Sequence, residues 1–161
     1  DYARAVIRAQ SPHLTDGEVD ERVQLRMERQ ERFLRDHDPL RLWAIMGEGA
    51  LHRLVGSPAV MADQMEHLHR AAQLDTVDVQ VLPFGAGAPA SGTPFVELTF
   101  ADPLDPEVIY LETAAGDLWI EGAQVAAFQV RFEDLISRAL SAPATLRMLL
   151  ERAEHFRKAD A

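Results

Sequence analysis

The chain has 161 residues, of which 47% are hydrophobic and 26% are charged, and this composition excludes intrinsic disorder and indicates one ordinary domain spanning residues 1–161. A net charge of −10 argues against direct binding of nucleic acid by this segment, and the absence of cysteine excludes disulfides and thiolate catalysis. Because no apolar run is long enough to span a bilayer, we expect no membrane contact and a cytoplasmic location.

The first half of the chain alternates helical and strand patterns. Residues 1–10 read as a short helix, and residues 15–34 read as an amphipathic helix that begins with the capping box Thr15-Asp16-Gly17-Glu18. A buried strand over 40–46 and a short helical turn follow, and Ser57-Pro58 starts the next helix.

The second half begins with an alternating strand over 77–81 and a Gly- and Pro-rich loop over 83–94. Three strands are predicted at 95–100, 107–113 and 118–121, with a tight hairpin between the last two, and two helices close the chain. These elements predict an α/β fold: one mixed sheet of about five strands, with a crossover unit, an antiparallel meander and flanking helices.

The helix over 15–34 carries polar residues on its apolar side. On a helical wheel, Arg26 and Gln30 fall among the apolar residues, with Arg22 at the edge. A buried guanidinium needs a partner, and Glu48 follows the apolar run of 42–46. The group is either a buried salt bridge that fixes the helix on the sheet or the polar floor of a ligand pocket.

A second candidate lies on the strand over 107–113. Tyr110 and Glu112 share the face of Val108, so they point to the core if Val108 does. Glu112 is then a second acidic partner for Arg26 or for a ligand. The alternative is that Glu112 lies near the strand end and reaches water.

The remaining patterns indicate no catalytic residue, metal or cofactor. His67 and His69 point about 200° apart on a helix, His52 has no matching histidine, and metal sites need spacings of three or four. No nucleophile elbow is present. The loop over 83–94 lacks a phosphate-binding fingerprint and is either a surface loop or a lid over a pocket.

Several segments together resemble one family. They are DYARAVIRA (1–9), ERVQLRMERQ (21–30), EGALHRLVG (48–56), MADQM (61–65), VQVLPF (79–84) and YLE (110–112). The chain resembles the C-terminal domain of unknown function in actinobacterial, Streptomyces-type XRE-family helix-turn-helix regulators, which are antitoxin-like. The resemblance implies that DNA is bound by an upstream domain that this chain lacks. It also implies a small partner protein and leaves Arg26, Gln30, Glu48 and Glu112 as structural or ligand-binding residues.

These observations leave three functions open. The first is a regulatory domain of a transcription regulator that binds a small-molecule effector or a small partner protein and biases DNA binding elsewhere. The second is a stand-alone natural-product enzyme, of the cyclase or isomerase type, that reuses the scaffold with one or two carboxylates as acid or base. The third is a pure interaction domain without a pocket. Each is compatible with a homodimer.

Overall fold

The computed structural model describes residues 1–34, 40–89, 92–113 and 115–160, with Leu34 described by its backbone alone. The helices of these residues are α1 (Tyr2–Gln10), α2 (Asp16–Glu31), α3 (Gly49–His52), α4 (Pro58–Ala71), α5 (Val125–Arg138) and α6 (Ala142–Ala159). The strands are β1 (Leu42–Gly47), β2 (Val77–Leu82), β3 (Val96–Leu98), β4 (Val108–Thr113) and β5 (Gly116–Ile120). The chain divides into two compact units, here called the terminal unit (Asp1–Val81 with Leu140–Ala161) and the central unit (Leu82–Ala139).

The terminal unit is built on a two-stranded parallel sheet, β1 and β2, joined by the crossover through α3 and α4. Ser57 caps α4 by accepting a hydrogen bond from the Val60 N–H, and Pro58 occupies the first turn, where no N–H is needed. Helix α4 packs along α6, and the side chains of both helices meet those of α3 and β2. The resulting core contains Leu51, Met61, Ala62, Met65, Val81, Leu149, Ala153 and Phe156.

One buried polar contact joins α6 to the sheet. The Thr145 hydroxyl is fully buried and accepts a hydrogen bond from the Val81 N–H at 3.2 Å. Because a buried polar group without a partner is costly, this bond satisfies both groups at the centre of the core. It also fixes the position of α6 along β2.

Helices α1 and α2 form a hairpin at the N-terminal end of the terminal unit. Ion pairs join Arg4 to Asp20 and Arg8 to Asp16 across the hairpin. The predicted capping box is confirmed: the Glu18 N–H donates to the Thr15 hydroxyl, and the Glu18 carboxylate accepts from the Thr15 N–H at 2.8 Å.

The central unit is an antiparallel meander, β3-β4-β5, with α5 against β4. Its buried cluster contains Ile109, Leu111 and Val125, and partly buried Phe95, Ile120 and Phe128 extend it. Gly116 has a φ of +128° at the start of β5, a conformation that favours glycine and explains this residue in the hairpin.

The structure confirms the α/β class, the crossover unit and the meander, and it corrects their arrangement. The strands of the described residues form a two-stranded and a three-stranded sheet, where one mixed sheet was predicted. The predicted strand ends lie within two residues of the observed ones, because fraying ends leave little pattern. None of the helices in the described ranges is long and apolar enough to cross a membrane.

Candidate functional site

Helix α2 does not bury the predicted polar group. Arg22, Arg26 and Gln30 are all exposed, and Val19 is the buried residue of this helix. The prediction of a buried Arg26 is therefore wrong. The helical wheel placed Arg26 on an apolar stripe, but Met27 on that stripe is itself 41% exposed, so the stripe is not covered along its length.

Glu48 lies at the start of α3 with its side chain mostly buried, and its carboxylate contacts His52 Nε2 at 3.2 Å. Arg152 on α6 also reaches α3: its Nε donates to the Leu51 carbonyl at 3.3 Å, and its guanidinium lies 5.1 Å from the Phe156 ring centroid. The sequence analysis did not single out Arg152. Its position four residues before Phe156 on α6 could have indicated a contact between the guanidinium and the ring. A ligand-binding role for Glu48 stays a prediction.

Both faces of β4 are partly buried. Ile109 and Leu111 belong to the buried cluster on one face, whereas Val108 is buried and Tyr110 is half-buried on the opposite face, which also carries Glu112. Glu112 is exposed, as the alternative interpretation had it. Both residues belong to the central unit, whereas Arg26 and Glu48 belong to the terminal unit.

The face of the meander that carries Tyr110 presents an apolar row. The register pairs Val96 with Tyr110 and Tyr110 with Trp119, so the three side chains lie side by side across the three strands. The Tyr110 and Trp119 ring centroids are 4.8 Å apart. Val96 is 49% exposed and Trp119 is 61% exposed, which makes this row, here called the aromatic face, a surface feature.

Carboxylates lie directly beside the aromatic face. Glu112 pairs with Asp117 in the register, one step along the strands from Tyr110 and Trp119 and on the same side of the sheet. Glu121 follows β5 with an extended backbone (φ −126°, ψ 168°), so strand alternation places it on that side as well. Neither Glu112 nor Asp117 forms an ion pair or side-chain hydrogen bond within the described part of the chain.

The segment of sequence that forms the aromatic face contains no basic residue. Residues 82–130 include seven Asp and Glu residues and no Lys, Arg or His. The two arginines of the central unit are both on α5. Arg131 lies over the Phe128 ring at 4.8 Å, and Arg138 pairs with Asp134 at 2.5 Å.

The loop over 83–94 is tied to α5 by Arg138. Its Nη1 donates to the carbonyls of Ala86 at 3.2 Å and Ala88 at 2.9 Å. These bonds explain why the first part of a Gly- and Pro-rich loop has a defined path. Ala90 and Ser91 lie outside the described residues, and the predicted role as a lid stays a prediction.

A surface groove of about 460 Å³ runs between α4 and α6 in the terminal unit. Its lining consists of Glu66, Leu150, Ala153, Glu154, Arg157 and Lys158. Arg157 donates to Asp63 at 2.6 Å and to Glu66 at 3.1 Å, and these hydrogen bonds raise the pKa of its guanidinium. In the described ranges, no three His, Cys, Asp or Glu side chains are placed to share a metal ion.

Comparison with curated proteins and with solved structures gave no match. The profile of one family, described as "Domain of unknown function (DUF5753)", matches residues 1–151. That range covers most of the chain, with all of the central unit and most of the terminal unit. The chain therefore belongs to the DUF5753 family of domains of unknown function.

Proposed function

We propose that this chain is the regulatory domain of a helix-turn-helix transcription regulator and that it acts by binding a partner protein through the aromatic face. The regulatory setting comes from the resemblance of six segments to domains that follow a helix-turn-helix segment. In this account, binding of the partner changes the DNA affinity of a domain elsewhere in the same polypeptide.

The observation that carries the proposal is the exposure of Trp119 beside Tyr110 and Val96 on a regular sheet. Tryptophan and tyrosine are enriched at protein interfaces because they bury a large area and lose little side-chain entropy. The β-sheet holds these rings in fixed positions on an open surface. Such a surface fits a second protein better than it fits a small molecule, which binds in a concave site.

A small-molecule effector is the second candidate, and the groove between α4 and α6 is the feature that favours it. Its volume of about 460 Å³ lies within the range of ligand pockets. However, its walls include Glu154 and Lys158, whose side chains are 74% and 80% exposed. Walls of this kind leave a bound molecule largely in water, so we place the effector second.

A two-hybrid screen of the intact regulator against the genome of its host, repeated with two variants, tests the proposal. Trp119→Ser removes the most exposed ring of the aromatic face, and Val130→Ser removes an apolar side chain of similar exposure (65%) on α5. We expect partners that are lost with Trp119→Ser and kept with Val130→Ser. Partners kept by both variants, or a metabolite that raises the Tm while no partner depends on Trp119, would overturn the proposal.

A further inference from the structure

We infer that the aromatic face binds an arginine-bearing segment of the partner, with a guanidinium stacked on Tyr110 and Trp119 and paired with Glu112 and Asp117. This inference rests on the proposed function and names the chemistry of the partner.

The geometry of the sheet suits a guanidinium. Successive residues on one side of a strand are about 7 Å apart, so the Glu112–Asp117 pair lies about that distance from the Tyr110–Trp119 pair. An arginine side chain laid along the strands spans this separation. Its planar head can stack on the indole while its N–H groups point to a carboxylate, a combination that lysine matches poorly.

The energetics of the hairpin point the same way. Glu112 and Asp117 are directly opposite each other in the ladder, and like charges in that position destabilise a sheet. No cation of the described residues forms an ion pair with either carboxylate. A guanidinium from a partner relieves this repulsion. The free energy of binding therefore includes the energy that the repulsion costs the unbound domain.

Charge complementarity selects the occupant. The central unit has nine carboxylates and two arginines, and both arginines are engaged on α5. A second copy of this chain carries a net charge of −10 and would bring like charge to the face. A basic, arginine-bearing protein segment satisfies both the rings and the carboxylates.

The test uses a defined probe and paired variants. The probe is the capped hexapeptide Arg-Gly-Arg-Gly-Arg-Gly, and its control has citrulline, which is nearly isosteric with arginine and neutral, at each arginine. Binding to the purified domain is measured by calorimetry at low ionic strength. We expect the arginine peptide to bind and the citrulline peptide not to bind, with the lysine counterpart weaker than the arginine peptide.

The variants separate a specific site from general attraction to an acidic protein. We expect Glu112→Gln with Asp117→Asn to weaken the affinity about tenfold and Trp119→Leu to weaken it about fivefold. The control, Asp105→Asn with Glu133→Gln, removes the same charge from exposed positions elsewhere in the central unit and should change the affinity less than about twofold. An equal loss in both double variants would overturn the inference. A partner that requires Trp119 but ignores the Glu112 and Asp117 changes would overturn it and leave the proposed function standing.

Discussion

The terminal and central units differ in how they use their side chains. The terminal unit has 17 acidic and 14 basic residues, and its main core cluster has eight buried members drawn from α3, α4, α6 and β2. The central unit has nine acidic and two basic residues, and its buried cluster has three members. Packing and balanced charge characterise the first, whereas exposed rings and uncompensated carboxylates characterise the second. The difference indicates that buried packing is concentrated in the terminal unit, and our proposal assigns recognition to the central unit.

The largest expected effect is in the core of the terminal unit. Leu149→Ala should lower the free energy of unfolding by about 3 kcal/mol, because Leu149 is fully buried and its loss leaves a cavity. Its neighbour Leu150 is 43% exposed, so Leu150→Ala should cost about 1 kcal/mol or less. Urea denaturation followed by circular dichroism measures both values. Equal costs would show that the core does not lie where the structure places it.

The next effect tests the polar contact inside that core. Thr145→Val keeps the shape of the side chain but leaves the buried Val81 N–H without its acceptor, at a cost of about 2 kcal/mol. Thr145→Ser keeps the hydroxyl and loses one methyl group, at about 1 kcal/mol. Hydrogen exchange at the Val81 amide should accelerate in both variants, and more in the valine variant than in the serine variant. Faster exchange in the serine variant than in the valine variant would contradict the assigned bond.

A smaller effect is expected at the start of α2. Thr15→Ala removes the cap and should lower the Tm by about 3 °C. The hydrogen bonds that Glu18 accepts from the Thr15 side chain and backbone lower the pKa of its carboxyl. Its contribution is therefore complete above the ordinary pKa of glutamate and is lost as the pH falls through the lowered value. The Tm difference between the wild type and Glu18→Gln should shrink over that acidic range, and a constant difference would argue against the capping box.

The smallest expected effect is a gain in stability, in the central unit, whereas the other substitutions above lower stability. Asp117→Asn should stabilise the protein by about 0.5 kcal/mol, because it removes the repulsion with Glu112 across the hairpin. Asp105→Asn, at an exposed loop position without a facing carboxylate in the ladder, serves as the control and should leave stability unchanged. Destabilisation by Asp117→Asn would mean that the carboxylate supports the fold and is not held for binding.

Local patterns predicted the elements well, since caps such as Thr15 and Ser57 act within a few residues. The predictions that were wrong concern which face of a helix or strand packs against another element. The helical wheel predicted the apolar stripe of α2 but could not show that no other element packs over its whole length. Both faces of β4 carry apolar residues, so strand alternation could not decide whether the face of Val108 or the face of Ile109 meets the core. The aromatic face could not be predicted from the sequence either, because the Tyr110–Trp119 pair depends on the register between β4 and β5.

The two tryptophans of the chain provide the most direct test, because Trp43 belongs to the terminal unit and Trp119 to the central unit. The indole N–H resonances of the ¹⁵N-labelled domain are followed while the Arg-Gly hexapeptide is added, with the citrulline peptide as the control. If the aromatic face binds an arginine-bearing segment, the Trp119 signal shifts to saturation with the arginine peptide alone, and the Trp43 signal stays in place. A shift of Trp43 without Trp119, or the same Trp119 shift with citrulline, would contradict the account.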